Sequence, residues 1–161
     1  MVQYVRDMEE KDIPEVQNVA RKSWNATYEG IIPLKTQENF LKSAYNDEMM
    51  LRRMEVSSLF VAEKDGKVVG FANFSRIKQE GAVELGAIYL LPEYQEQGLG
   101  TALLHRGIEK SESADFIFIN VEKENKIGTI FYKAKGFKFV SEFDDDLDGH
   151  ITKMVRMVLT V

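Results

Sequence analysis

After a short first strand, apolar positions along this chain recur with helical spacing, then with strand spacing, and finally with the two interleaved. The run Val2 to Met8 predicts a strand. Asp12-Ile13-Pro14-Glu15 then carries the marks of a helix start, with Asp12 as cap, Pro14 in the first turn and Glu15 placed for a capping box. Ile13, Val16, Ala20 and Trp24 share one face of that helix. Gly30 and Pro33 interrupt it. Thr36 is the expected cap of a second helical region with Phe40, Leu41, Ala44 and Tyr45, which the apolar run Met49 to Met54 continues. From Leu59 the period becomes that of strands. Leu59 to Ala62 and Val68 to Phe74 flank Asp65-Gly66, a strong hairpin signal. Ala82 to Leu91 predicts a strand, Leu99 to Ser111 a helix, and Phe116 to Val121 a strand buried on both faces. Lys126 to Lys135 predicts a helix ended by Gly136. Two last strands, Phe137 to Phe143 and Ile151 to Val161, enclose an acidic connection from Asp144 to Gly149.

No repeat, low-complexity tract or linker interrupts this order, so residues 1–161 are expected to form a single α/β domain. A hydrophobic content of 44% and a charged content of 29% are those of a globular protein. No apolar run has the length of a membrane span and no secretory leader is visible, so a cytoplasmic location without membrane association is expected. The chain has no cysteine, which excludes disulfides, a thiol nucleophile and thiolate–metal sites. His105 and His150 lie far apart in sequence, and no metal is expected. A net charge of −5 argues against nucleic acid as partner and fits a cationic one.

Candidate chemistry begins at Gln95-Glu96-Gln97-Gly98-Leu99-Gly100-Thr101, a turn with little side-chain bulk that opens a helix. Successive backbone N–H groups there can converge on an anion, aided by the helix dipole; a plain strand-to-helix turn is the competing reading. The segment resembles the pyrophosphate loop of the GNAT superfamily of acetyl-CoA-dependent N-acetyltransferases, Gln/Arg-x-x-Gly-x-Gly/Ala. Downstream, Asn125 through Phe137 is similar to that family's second motif, Asn-x-x-Ala-x-x-x-Tyr-x-x-x-Gly-Phe. The resemblance implies a GNAT fold: a central mixed, mostly antiparallel, twisted sheet flanked by helices, whose fourth and fifth strands splay to admit acetyl-CoA. By the same resemblance Ile88, Tyr89 and Leu90 offer backbone groups to the pantetheine arm. Gln95, Glu96, Gln97, Gly98, Leu99, Gly100 and Thr101 meet the pyrophosphate, and Asn125 and Tyr132 contact the coenzyme. Many relatives carry Arg or Lys where this loop has Glu96 and Gln97, leaving compensation to backbone dipoles and to Arg106 or Lys133.

Acetyl transfer to an amine requires loss of an ammonium proton, stabilisation of the carbonyl oxygen and protonation of a thiolate. The resemblance implies direct attack in a ternary complex, with Tyr132 as general acid and Glu84 as base. A core aromatic and a solvent-facing strand glutamate are the structural alternatives. Asn120 stands where some relatives carry a base glutamate; it can orient an amine but not deprotonate it. Trp24 and Tyr28, four residues apart in a segment similar to that of bacterial polyamine acetyltransferases, offer a cation-binding wall or simply two core aromatics. The acidic run Asp144 to Asp148 can attract a polycation or form a solvated turn. A small amine, with a polyamine as the leading choice, is the expected acceptor. A protein N-terminus or other peptide amine, and a non-catalytic acyl-CoA-binding module, are the alternatives. A homodimer is the assembly considered.

Overall fold

In a computed structural model, which describes residues 3–161, the chain forms one seven-stranded sheet in the order β1-β2-β3-β4-β5-β7-β6. The strands are β1 (Gln3–Asp7), β2 (Ser57–Lys64), β3 (Lys67–Ser75), β4 (Ala82–Leu90), β5 (Phe116–Glu122), β6 (Lys138–Leu147) and β7 (His150–Thr160). The helices are α1 (Ile13–Tyr28), α2 (Leu34–Ala44), α3 (Asp47–Val56), α4 (Leu99–Lys110) and α5 (Lys126–Ala134). Val2, the expected start of the first strand, lies outside the described residues. All neighbouring strands pair antiparallel except β4 and β5, which run parallel.

Helices cover both faces of the β1–β4 half. On one face α4 approaches β3 so closely that a Cβ on Gly107 would stand 2.0 Å from the buried Phe74 ring. The opposite face carries Phe71 and Tyr89, which meet edge-to-face at 5.7 Å, and Tyr45 joins them from the end of α2 at 5.9 Å from Phe71. Between these layers Val16, Val19, Ala20, Met50, Val61, Phe71, Phe74, Val83, Leu103, Ile117 and Ile119 form the buried centre. Asn73 is buried there, yet fully engaged. It accepts from Arg53 at 2.7 Å and donates to Ser57 Oγ and the Ser58 carbonyl, which pins α3 to the sheet beside the register shift at Asn73/Phe74.

Several local expectations need correction. Asp12 does not cap α1 with its side chain. It accepts two hydrogen bonds from Arg6, at 2.8 and 2.9 Å, and one from the Glu9 amide, because burial makes a guanidinium partner worth more than a cap. Glu15 likewise reaches across to the Val68 amide at 2.9 Å instead of completing a capping box. Thr36 lies inside α2, whose N-cap is Pro33, and Asn46 caps a separate α3 by accepting from the Met49 amide. The fifth strand is not buried on both faces: Ile117, Ile119 and Val121 are, whereas Phe116 and Asn120 are exposed. The acidic run is not a loop either. Asp144 to Leu147 extend β6, and the turn shrinks to Asp148-Gly149, both at positive φ.

Candidate active site

Strands β4 and β5 pair at only three positions, Ala82 with Phe116, Val83 with Ile117 and Glu84 with Phe118. Beyond Glu84, β4 follows β3 through the shift at Asn73/Phe74, while β5 follows β7. The two strands therefore part. Among the described residues no strand pairs with the β5-facing edge of β4 from Gly86 to Leu90, so the backbone polar groups of Ile88, Tyr89 and Leu90 along that edge stay available to a ligand that can pair as a strand does. The splay expected between the fourth and fifth strands is present.

The turn from Gln95 to Gly98 leads from β4 into α4. Gly98 is the N-cap at φ 84°, a left-handed conformation that costs glycine little, and no side chain caps the helix there. The space above Gly98 is open. The first-turn amides of Leu99, Gly100 and Thr101 have no intrahelical acceptor, so the turn offers a ring of donors at the positive end of the helix dipole. This fits a pyrophosphate. Gly100 has a second reason to be glycine, since a Cβ there would meet Phe131 of α5 at 3.3 Å. The nearby cation is Lys64, which sequence reasoning missed: its ammonium donates to Gln97 Oε1 at 2.5 Å and lies 5.5 Å from the Tyr94 ring centroid. Arg106 does not serve the loop. It reaches Asp7 at 3.2 Å and lies over the Phe60 ring.

Where β4 and β5 diverge, tyrosines from three elements converge. Tyr132 of α5 packs edge-to-face on Phe131 and Phe137, both at 5.3 Å, and burial pushes its hydroxyl pKa well up, with nearby Tyr89 adding to the effect. Tyr28 closes α1 and is also raised by burial, with Tyr89, Tyr132 and Glu122 contributing and the Asn125 side chain opposing. Asn125 accepts from the Gly128 amide at 2.9 Å and so caps α5 while lying beside Tyr28. Trp24 and Tyr28 are 6% and 7% exposed, and Trp24 stacks on Phe40 at 4.3 Å. Their ring faces are occupied, so what they can offer a ligand is polar edges. The Trp24 indole nitrogen is buried with no hydrogen-bond partner among the described residues.

Glu84 is not a free carboxylate. Arg156 of β7 donates to both its oxygens, at 2.5 and 3.3 Å, and also to Asn120 Oδ1 at 3.0 Å, with its guanidinium 4.4 Å over the Phe118 ring. Alternation along β5 puts Phe118, Asn120 and Glu122 on one face, and pairing puts Arg156 and Met154 of β7 beside them. Further along the same face of the β6–β7 hairpin are Thr152, Asp145 and Phe143. Leu147 at the hairpin's end packs on the Trp24, Tyr28 and Ile32 cluster, and Asp148 accepts from Asn39 of α2. The hairpin thus bends back to border the tyrosine cluster. Sequence reasoning missed Arg156 and Glu122. Period-two alternation with Asn120 could have marked Glu122's face, but no local signal pairs Arg156 with a glutamate 72 residues away.

The Acetyltransferase (GNAT) family model matches residues 18–137. The uncharacterized N-acetyltransferase YuaI of Bacillus subtilis is 36% identical over 159 residues, covering 95% of this chain and 90% of that protein. The spermidine N(1)-acetyltransferase of Thermoplasma acidophilum is 30% identical over 153 residues, 90% of this chain and 91% of its own length. The crystal structure of the PaiA N-acetyltransferase of Thermoplasma acidophilum in complex with coenzyme A superposes over 100% of both chains with a TM-score of 0.83 at 27% identity. With a parting β4–β5 pair, an uncapped glycine turn at the head of α4 and a family match over three-quarters of its length, this chain belongs to the GNAT family of acetyl-CoA-dependent N-acetyltransferases.

Proposed function

We propose that this N-acetyltransferase transfers the acetyl group to a primary amine of a small polycation, with spermidine-type polyamines as the acceptor class. The observation that carries the reading is the face of the sheet below the β4–β5 opening. It bears Glu84, Asn120, Glu122 and Asp145, bordered by Trp24 and Tyr28, and its Arg156 is already paired to Glu84. A channel lined by carboxylates suits an extended cation. The likeness to a spermidine N(1)-acetyltransferase over 90% of this chain supports the same class.

In this reading the backbone of Ile88, Tyr89 and Leu90 holds the pantetheine arm. The turn from Gln95 to Thr101 holds the pyrophosphate, with Lys64 alongside. The coenzyme supplies a thioester whose carbonyl carbon accepts the amine. Asn125 keeps α5 and Tyr28 in register, and Tyr132, protonated at neutral pH, gives its proton to the departing sulfur. Of the acidic run, Asp144 is held by Lys153 at 2.8 Å, Asp146 by the Gly149 amide and Asp148 by Asn39. Asp145 is the member whose carboxylate has no such partner among the described residues, and it is the one placed on the channel face.

The test is a comparison of kcat/KM for spermidine, lysine and short peptides with free N-termini. Spermidine should lead, and its kcat/KM should fall as salt rises, because screening shortens the reach of the channel carboxylates. Asp145→Asn should raise KM for spermidine and flatten that salt dependence. Preference for peptide amines with no spermidine turnover would replace the acceptor class.

A further inference from the structure

We infer that the proton acceptor for the substrate amine is Glu122, and that Glu84 with Arg156 forms a neutral positioning pair on the same face of the sheet. The inference rests on the acetyl-transfer reading above and adds to it the group that takes the proton.

Glu84 has its oxygens occupied. Arg156 is held by Glu84, by Asn120 and by the Phe118 ring, so it joins three strands where the sheet last closes. Protonating Glu84 would break that bidentate contact and leave a guanidinium short of its anion. Glu122 lies four residues further along β5, past the last β4–β5 pair, and is 5% exposed. No cation forms an ion pair with it among the described residues. Its Oε2 accepts from the Glu124 amide at 2.6 Å, which fixes the carboxylate's direction at the turn into α5.

Every element around Glu122 contributes a named group. From α1 comes Tyr28, whose hydroxyl feels the Glu122 charge; from the turn and the head of α5 come Glu124, Asn125 and Lys126; from β7 comes Met154, opposite in register. Tyr89 and Tyr132 act on the same Tyr28 hydroxyl, so the general acid, the edge of β4 and Glu122 share one cluster. Burial raises the Glu122 pKa above the usual carboxylate value, and Glu124 adds to this. The Glu124 and Asn125 amides and Lys126 pull the other way. A buried carboxylate with a raised pKa is a better match to an ammonium donor than an exposed one.

The proton flow then closes. Glu122 takes one proton from the ammonium, and the nitrogen lone pair forms the C–N bond to the acetyl carbon. As the C–S bond breaks, sulfur leaves with the electron pair and receives the Tyr132 proton. Tyr132 regains the second proton lost by nitrogen, and Glu122 releases its own to solvent, one per turnover.

Glu122→Gln is the test, because its amide oxygen still accepts from the Glu124 amide and preserves the turn. Acetyl-CoA affinity, read by calorimetry, should stay within about twofold, while kcat falls roughly 10²-fold or more and the acidic limb of the pH profile disappears. Glu84→Gln should keep that limb. Retention of both rate and limb in Glu122→Gln overturns the inference. So does an NMR titration of the Glu122 carboxyl carbon in the free protein that gives an ordinary midpoint near about 4.3 rather than a higher one, a result that needs no acceptor at all. Failure of the wild type to acetylate any amine would instead count against the acetyl-transfer reading.

Discussion

In the proposed mechanism Tyr132 carries packing and chemistry together. Its ring is wedged between Phe131 and Phe137, and its hydroxyl sits where burial keeps the proton on at neutral pH. Tyr132→Phe preserves both edge-to-face contacts and removes only the proton donor. We expect kcat to fall by roughly 10²- to 10⁴-fold with acetyl-CoA affinity nearly unchanged. A wild-type rate would reduce Tyr132 to a core aromatic. Asp12 tests residue-scale energetics away from the site. Asp12 is 2% exposed, and its carboxylate is held by Arg6, whose hydrogen bonds keep its pKa below the usual range. A lowered folded-state pKa means stability that is fully present at neutral pH and is lost as pH falls through that value, here below about 4. Asp12→Asn should therefore cost about 2 kcal/mol in urea denaturation at pH 7. The gap to wild type should narrow below about pH 4. The proposal of Tyr132 as general acid comes from local motif spacing. The partner of Glu84 is not legible there, because Arg156 stands 72 residues away and is brought to it by strand register, which no local window contains.

Among the elements, α4 does two jobs. Its N-terminus offers uncapped amides at Gly98 to Thr101, and its middle presses on β3 through Gly107. A negative charge in the first turn favours an isolated helix but opposes a bound pyrophosphate. Thr101→Asp separates the two: thermal stability should hold or rise slightly, while acetyl-CoA affinity drops about tenfold or more by calorimetry. Undiminished affinity would place the coenzyme elsewhere. The hairpins show what spacing can and cannot reveal. Asp65-Gly66 announces its turn, and both residues adopt the positive φ that such turns need. Asp148-Gly149 carries the same signal, but the run of aspartates before it reads as a loop. Cross-strand partners, Lys153 for Asp144 and Thr152 for Asp145, hold that acidic run in a strand. The parting of β4 from β5 lies beyond periodicity altogether. It follows from the register shift opposite Asn73, a residue whose side chain is fixed by Arg53, Ser57 and Ser58.

At the scale of the whole molecule, the sheet divides the labour. The β1–β4 half is covered by helices on both faces and supplies a rigid frame. The β5–β7–β6 half leaves one face open, and there the charged and aromatic residues collect, bordered by the returning hairpin tip at Asn39. The depression between β1, β2 and the ends of α3 and α4, about 340 Å³ and lined by Asp7, Met54, Ser57 and Lys110, lies away from the β4–β5 opening. That separation makes the coenzyme's location a decisive test. Backbone amide NMR of the uniformly labelled protein, titrated with coenzyme A, reads it residue by residue. The account predicts that the largest shifts and strongest exchange protection fall on Ile88, Tyr89 and Leu90 and on Gly98, Leu99, Gly100 and Thr101. Perturbation confined to residues around Asp7, Met54 and Lys110, with the β4 edge and the head of α4 unmoved, would contradict it.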